Sequence, residues 1–331
     1  MNPRSLTVAL LGLALAGCAE PPRPSQLFRT QVLGGEGCTM CDLRYEDFST
    51  RDLAGKDFSG SYMFGINFSW SIVKNANFEA AALNYARMEW ADFDNSNLMK
   101  ASLEDAAMFK SSFRKVRMGM ANLSRANLSG ADLTEADLLT AILEGADLSE
   151  AKLGSAVMRS ANLRDANLSG ARLVDADLKS AILVRANLQG ADLNTTNFSG
   201  AVLSGASFVG TVISRANFRK ADLRMADFRG AVLDAVNFQG ADLRRANLLG
   251  ARLENVILRG ANLCNALMPD GTVGACEPGL AEDVPLSRAE PGEPPVPDAA
   301  PQPQVRQGAA EGGVRQADPA PRPASFGGRS L

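Results

Sequence analysis

The sequence predicts an all-β solenoid whose backbone turns after every fifth residue, and three observations carry that prediction. From Ser160 to Leu193 the chain reads SANLRDANLSGARLVDADLKSAILVRANLQGADL, with leucine at 163, 168, 173, 178, 183, 188 and 193 and alanine two places before each. Stepping by five from Leu43 to Met268 meets 46 central positions without an insertion or deletion, and each is Leu, Phe, Met, Ile or Val. The place two earlier is alanine without exception from Ala121 to Ala191. Neither regular element accepts this period. On a helix, five steps of about 100° carry the leucine round the cylinder, so the row faces no single core. On a strand, five steps put successive leucines on opposite faces. A chain that turns a corner in every pentapeptide aims each leucine at one shared axis, and each unit then buries its apolar residues only by stacking on its neighbours.

The repeating unit A-(D/N)-L-x-x, seen in ANLSGADLTEADL (126–138) and GADLRRANL (240–248), resembles the pentapeptide-repeat proteins. That resemblance implies a right-handed, quadrilateral β-helix with four pentapeptides in each coil. The 46 repeats would then make about 11–12 coils, and at about 4.8 Å per coil a rod roughly 55 Å long. The phenylalanines support four sides independently. Of eleven at central positions, nine fall on the 48, 58, 68 series (Phe48, Phe58, Phe68, Phe78, Phe198, Phe208, Phe218, Phe228, Phe238), leaving Phe93 and Phe113 on the other. Neighbours ten apart lie on opposite walls of a twenty-residue coil, so two facing walls carry phenylalanine near each end of the rod. Positions 123 to 193 use leucine almost alone.

The repeat region is assigned to residues 38–268. At its start, Glu46, Arg51 and Lys56 occupy the inward alanine place, and an unpaired charge there is costly. An open first coil overlain by residues 25–40 is therefore expected. At its end, Met268 precedes Pro-Asp-Gly, a turn signal that stops the stacking, and residues 269–276 form a cap. Many family relatives place a dimerising helix there; this chain instead runs into a segment poor in large apolar residues.

Both flanks are informative. The opening MNPRSLTVALLGLALAGCAE has an early arginine and an apolar run from Leu6 to Ala16, too short to span a bilayer but suited to a signal peptide over residues 1–17. Its ending, Leu15-Ala16-Gly17-Cys18, resembles a bacterial lipobox. That implies lipid attachment at Cys18, a membrane partner through the acyl chains, and, with Ala19 rather than aspartate next, an outer-membrane address facing the periplasm. Residues 18–37 are read as a lipidated tether and N-terminal cap. From Glu277 to Leu331 there are eleven prolines among Gly, Ala, Glu and Arg, the composition of a disordered tail.

Cysteine usage agrees with export. Apart from Cys18 the chain holds Cys38, Cys41, Cys264 and Cys276, two near each end of the repeat region. The ends are too far apart for one four-cysteine zinc site. A disulfide is expected between Cys264 and Cys276. For Cys38 and Cys41 a cap disulfide is preferred to a redox pair, because no βαβ pattern accompanies the two-residue spacing. Enzyme readings are weak: the chain has no histidine, which removes the commonest general base and metal ligand. Aspartates such as Asp132, Asp137 and Asp147 follow the repeat rather than a catalytic geometry. No cofactor is implied. Nor is nucleic-acid mimicry of the kind attached to this family, since Cys41 to Met268 contains 26 acidic and 26 basic residues whereas a mimic needs a continuous negative surface.

Departures from the pattern nominate the functional surface. Trp70 and Trp90 are twenty residues apart, so they stack on one outer wall with Lys110 next in line, and Tyr45 and Tyr85 share another wall. Exposed tryptophans suit a sugar ring or a protein hot spot; the alternative is burial under residues 25–40 or against their own corners. Ile142, Ile182 and Val202 replace the usual Asp or Asn on one wall, with Val184 nearby, and make an apolar stripe. Half-buried β-branched residues in an ordinary ladder are the plainer account of the same stripe. The charge is also uneven, with six acids and no base from Asp132 to Glu150. The reading that follows is a non-enzymatic, lipid-anchored scaffold for protein–protein interaction in the bacterial envelope. The alternative is a carbohydrate- or peptidoglycan-binding module using Trp70 and Trp90.

Overall fold

A twenty-residue register organises the chain. The computed structural model describes residues 34–35 and 37–276, which lie within the first of the chain's two compact units, Met1–Leu286. The signal peptide, Cys18 and the proline-rich tail therefore lie outside the described residues. Parallel bridges join each residue at the second place of a pentapeptide to the one twenty residues on, as in Asn122↔Ile142, Ile142↔Asn162 and Asn162↔Ile182. Four pentapeptides thus complete one coil. We call the wall holding 161–165 wall A, that of 166–170 wall B, that of 171–175 wall C and that of 176–180 wall D; residues twenty apart share a wall. On wall C three segments lengthen into strands, β1 (Val212–Ser214), β2 (Val232–Asp234) and β3 (Arg252–Glu254). They pair in parallel in the order β1-β2-β3, with Val212 opposite Val232 and Val232 opposite Arg252.

Why this sequence makes this coil follows from where its backbone donors go. In the pentapeptide 161–165, the central Leu163 N–H donates to Ile182 O in the next coil at 2.7 Å, and Asp165 N–H to Val184 O at 2.9 Å. Asn162 N–H donates back to Ala141 O at 2.9 Å, and Ala166 N–H closes the corner onto Leu163 O at 3.1 Å. One donor remains, the N–H of the fourth place. Its acceptor is the side chain two residues earlier: Asn162 Oδ1 takes Arg164 N–H at 3.1 Å. That is the physical reason for Asp or Asn before the central leucine, an Asx turn repeated down the rod. The fifth place carries a positive φ, from Asp165 at 57° to Gly170 at 66°, and turns the corner. It is therefore filled by glycine, or by residues that tolerate the left-handed region at modest cost.

Asparagine adds a second bond that aspartate cannot. On wall D, Asn97 Nδ2 donates to Asn77 Oδ1 and Asn77 Nδ2 to Asp57 Oδ1, both at 3.0 Å. The same sequence recurs in Asn187–Asn167–Asp147 and Asn217–Asn197–Asp177. Each ladder starts with aspartate because its N-terminal member only has to accept.

The core is a single column of buried central residues lined by small ones. The phenylalanines stack along their walls, Phe58 on Phe78, Phe93 on Phe113 and Phe198 on Phe218. Walls B and D meet edge to face across the axis, with Phe208 and Phe218 at 5.8 Å. Where Ser or Thr replaces the inward alanine, the hydroxyl donates to a central carbonyl, of the preceding coil for Ser96 Oγ to Val73 O at 2.7 Å and Thr196 Oγ1 to Leu173 O at 2.8 Å, and of the preceding pentapeptide for Ser71 Oγ to Phe68 O. The buried polar atom is satisfied and the coil is undisturbed.

The two ends differ from the sequence expectation in one respect. Leu43, Phe48 and Leu53 are as buried as the mid-rod leucines, while residues 25–33, expected to overlie them, lie outside the described residues. The charges that argued for opening do not share one fate. Glu46 is buried, Arg51 is exposed, and Lys56 Nζ donates to Gly35 O at 2.5 Å. The long Arg and Lys stems carry their charges to the rim, so they need not sit on the axis. Residues 37–40 continue the ladder instead of overlying it, with Gly37 bridged to Asp57 and Met40 N–H on Ser59 O. Cys38 is bonded to Cys41. At the far end Gly271 N–H returns to Met268 O, the chain reverses, and Val273 pairs antiparallel with Leu267. The bond between Cys264 and Cys276 fastens this flap.

Candidate interaction surface

Because the fifth place turns the corner, Trp70 and Trp90 stand at the edge between walls B and C rather than in the middle of a wall. Their rings are 5.1 Å apart and 5° from parallel, and both are exposed, by 60% and 42%. Lys110 Nζ lies 5.2 Å from the Trp90 centroid, a cation–π cap on the next coil. Phe109 meets Trp90 edge-on at 6.4 Å. Tyr45 and Tyr85 stand at the corner between walls A and B, and Phe64 bridges them, at 5.5 Å from Tyr45 and 5.0 Å from Tyr85. Between the two tyrosines the corner is Gly65, where a Cβ would come 2.8 Å from Tyr45 Cδ1. The Tyr45 ring therefore lies where any larger corner residue would stand.

Phe64 and Phe109 were not nominated by the sequence. The signal that finds them is an offset of nineteen rather than twenty: a fifth-place N–H bonds to the fourth-place carbonyl of the next coil, as Tyr45 does to Phe64 and Trp90 to Phe109. Side chains at those two places are neighbours.

On wall A the bridges run Ile142, Asn162, Ile182, Val202. The structure joins Ile182 to Val202 and leaves Ile142 one coil away, beyond Asn162. Ile142 and Ile182 are exposed by 41% and 36%; Val184 and Val202 are half-buried. Isoleucine cannot offer the Asx acceptor to the N–H of Glu144 or Val184. These positions therefore give up a capping bond worth about 1 kcal/mol and expose an apolar side chain as well. Ile72, Val212 and Ile257 break the same rule and are exposed as well.

Charge on the rod is held largely in pairs. Arg224 and Arg244 each reach back two residues, to Asp222 and Asp242, at 2.7 and 2.6 Å. These hydrogen bonds are the main cause holding both carboxyls below their ordinary value of 3.8. A lowered native pKa contributes stability above the unfolded value, which is lost as pH falls through the native one. The melting temperature is accordingly expected to hold down to about pH 5 and to decline below about pH 4. Calorimetry across that range checks it, and an unchanged melting temperature at pH 3 would sink it.

A shallow cavity of about 300 Å³ is lined by Arg224, Met225, Arg244, Arg245, Cys264 and Asn265. It holds no carboxylate or histidine. Among the described residues no group of three or more His, Cys, Asp or Glu could bind a metal, and no helix is long and apolar enough to cross a membrane.

The family model described as pentapeptide repeats matches eight times, over residues 61–99, 121–159, 141–180, 161–200, 181–219, 196–234, 213–250 and 231–268. The chain belongs to the pentapeptide-repeat family. Among solved structures it is 30% identical to HetL, a pentapeptide-repeat protein involved in heterocyst differentiation regulation from the cyanobacterium Nostoc sp. strain PCC 7120. That match covers 75% of this chain and 98% of HetL, with a TM-score of 0.38. It is 15% identical to full-length QnrB1, a plasmid-mediated fluoroquinolone resistance protein, over 66% of this chain and 92% of that one, with a TM-score of 0.34. A third similar structure is the pentapeptide-repeat protein Rfr23 from the cyanobacterium Cyanothece 51142, 20% identical over 45% of this chain and 90% of that one, with a TM-score of 0.22. No curated protein sequence matches the chain. Family membership rests on the repeats themselves.

Proposed function

We propose that this pentapeptide-repeat protein is a non-enzymatic scaffold, a right-handed rod anchored through lipid on Cys18 and displaying a side-chain stripe to a protein partner in the bacterial envelope. The observation that supports it most is the apolar interruption at Ile182, Val184 and Val202, where the coil forgoes an Asx cap and gains no core packing in exchange. Nothing in the coil needs isoleucine there, so a partner is the remaining use for it. The neutral repeat region disfavours DNA mimicry of the kind attached to this family, because equal numbers of acids and bases give no continuous negative surface.

A photoreactive residue at Val184, introduced in the living cell, is expected to yield one discrete protein adduct, whereas the same residue at Lys179 on wall D yields none. Ile182→Asp should remove that adduct. The new carboxylate would accept Val184 N–H and so offset the lost apolar contact, leaving stability within about 1 kcal/mol. Equal crosslinking from both walls would reject the proposal. The carbohydrate reading receives less support from the geometry. Sugar recognition by stacking needs an open ring face, yet each indole covers the other and Lys110 covers the far side of Trp90.

A further inference from the structure

Every tryptophan and tyrosine of the 331-residue chain lies between Tyr45 and Trp90. All five side chains are exposed, joined by Phe64 and Ile72. Four of these side chains, with Phe64 and Phe109, form two rails, Tyr45–Phe64–Tyr85 at the corner of walls A and B and Trp70–Trp90–Phe109 at the corner of walls B and C, while Tyr62 lies on wall A and Ile72 on wall C. Wall B is the strip between them.

We propose that the first coils seat wall B on the bilayer surface, with the two aromatic rails in the headgroup region. The proposal deepens the lipid-anchored reading and rests on it for orientation. Four observations support it. The first is the chemistry of the rails: Trp and Tyr pair an apolar ring with one polar tip, which suits the membrane–water interface. The two indoles stack on one another along the rod, so their edges rather than their faces turn outward, as insertion between headgroups requires.

The second is the strip itself. Its polar groups are already engaged: Asn67 Nδ2 donates to Asp47 Oδ1 at 3.0 Å, Ser69 Oγ to Glu89 Oε2 at 2.6 Å, and Arg87 lies 3.8 Å from Glu89. A glycan would compete for those donors and acceptors, whereas a lipid surface leaves them as they are. Lys110, lying over Trp90, carries its charge on a stem long enough to snorkel to the headgroups.

The third is position along the rod. Fifteen residues, or sixteen steps along the chain, separate Cys18 from Gly34, where the described chain begins. At about 3.4 Å per extended residue this tether holds the first coil within roughly 55 Å of its acyl chains. The rails sit at that end, and beyond Phe109 no aromatic side chain is exposed among the described residues. The fourth is charge. Wall B from 46 to 110 carries Glu46, Asp47 and Glu89 against Arg87 and Lys110, so the footing has no positive excess and fits a zwitterionic surface rather than an anionic one.

Because both tryptophans belong to one rail, intrinsic emission reports on it alone. The full mature chain is reconstituted with phosphatidylethanolamine–phosphatidylcholine vesicles carrying brominated acyl chains, and flotation, Trp emission and the mass of the N-terminal peptide are read together. Flotation with loss of at least half the emission supports the proposal, and replacing part of the lipid by phosphatidylglycerol should reduce the quenching. Replacing the other rail by Tyr45→Ser, Phe64→Ser and Tyr85→Ser should reduce quenching while the melting curve confirms the fold. A chain that carries acyl groups and floats but is not quenched overturns the proposal and keeps the anchor. A chain that carries none yet is quenched keeps the proposal and loses the anchor, and one neither acylated nor quenched loses both. An emission change with soluble peptidoglycan fragments in place of vesicles overturns it in favour of a sugar ligand.

Discussion

Leu173→Asp is expected to unfold the middle of the rod, while Arg172→Asp, one residue earlier, leaves it intact. Leu173 is a central residue with no exposure, stacked between Leu153 and Leu193 on wall C. Truncating a buried leucine costs about 2–5 kcal/mol. A carboxyl on that axis adds several more, because the aliphatic column offers it no donor. The sum is comparable with the whole stability of an ordinary domain, about 5–15 kcal/mol. Arg172 faces solvent between Lys152 and Asp192 in its ladder. An aspartate there reproduces the commonest residue of that place and supplies an acceptor to Val174 N–H, so the change should stay within about 1 kcal/mol. Since each coil touches only its neighbours, the damage from Leu173→Asp should be local. Hydrogen exchange at Leu153 and Leu193 should rise first, with the Phe columns at either end protected longer. Similar melting curves for the two variants would show that the inward direction has been assigned to the wrong residue.

How much of this was legible in the sequence depends on which contact is asked about. The period of five and the phenylalanine series gave the four walls, because a central residue has only one direction to face. Trp70 over Trp90 followed from the same arithmetic, since like places stack at twenty. Phe64 and Phe109 did not follow, because their contacts join unlike places at nineteen, an offset set by backbone hydrogen bonds rather than by the side-chain pattern. The same gap hid the meaning of Ile182. Its replacement of Asp or Asn was visible as a break in the pattern, but only the tally of donors shows that the break leaves Val184 N–H without its usual side-chain acceptor. The fate of the charges in the first coil was hidden for a related reason. Glu46, Arg51 and Lys56 were weighed as three charges aimed at the axis, yet Arg51 lies at the surface and Lys56 reaches Gly35. A long side chain rooted at an inward place need not end there.

The phenylalanine columns differ in kind from the leucine columns, and one substitution separates them. Phe218 lies between Phe198 at 4.8 Å and Phe238 at 5.2 Å on wall D, and meets the edges of Phe208 at 5.8 Å and Phe228 at 6.4 Å from wall B. Phe218→Ala should therefore remove a buried ring worth about 3–5 kcal/mol. It also breaks four ring contacts at once, each adding about 0.5–1.5 kcal/mol in favourable geometry, so the loss belongs at the upper end of that range. Leu178→Ala, on the same wall between Met158 and Phe198, creates a smaller void and breaks no ring-on-ring pair; about 2–3 kcal/mol is expected. Phe218→Leu conserves most of the volume but loses the four ring contacts, so a cost of about 2 kcal/mol or more is expected, which isolates the ring contacts from the cavity. Denaturant unfolding of the three variants, compared at equal slope, reads these differences directly. If Phe218→Ala and Leu178→Ala lose the same free energy, the stacked rings contribute only their volume. A larger loss for Phe218→Ala that leucine restores only in part would mean that ring contacts, and not volume alone, stiffen the rod's ends, where each terminal coil has one neighbour fewer to lean on.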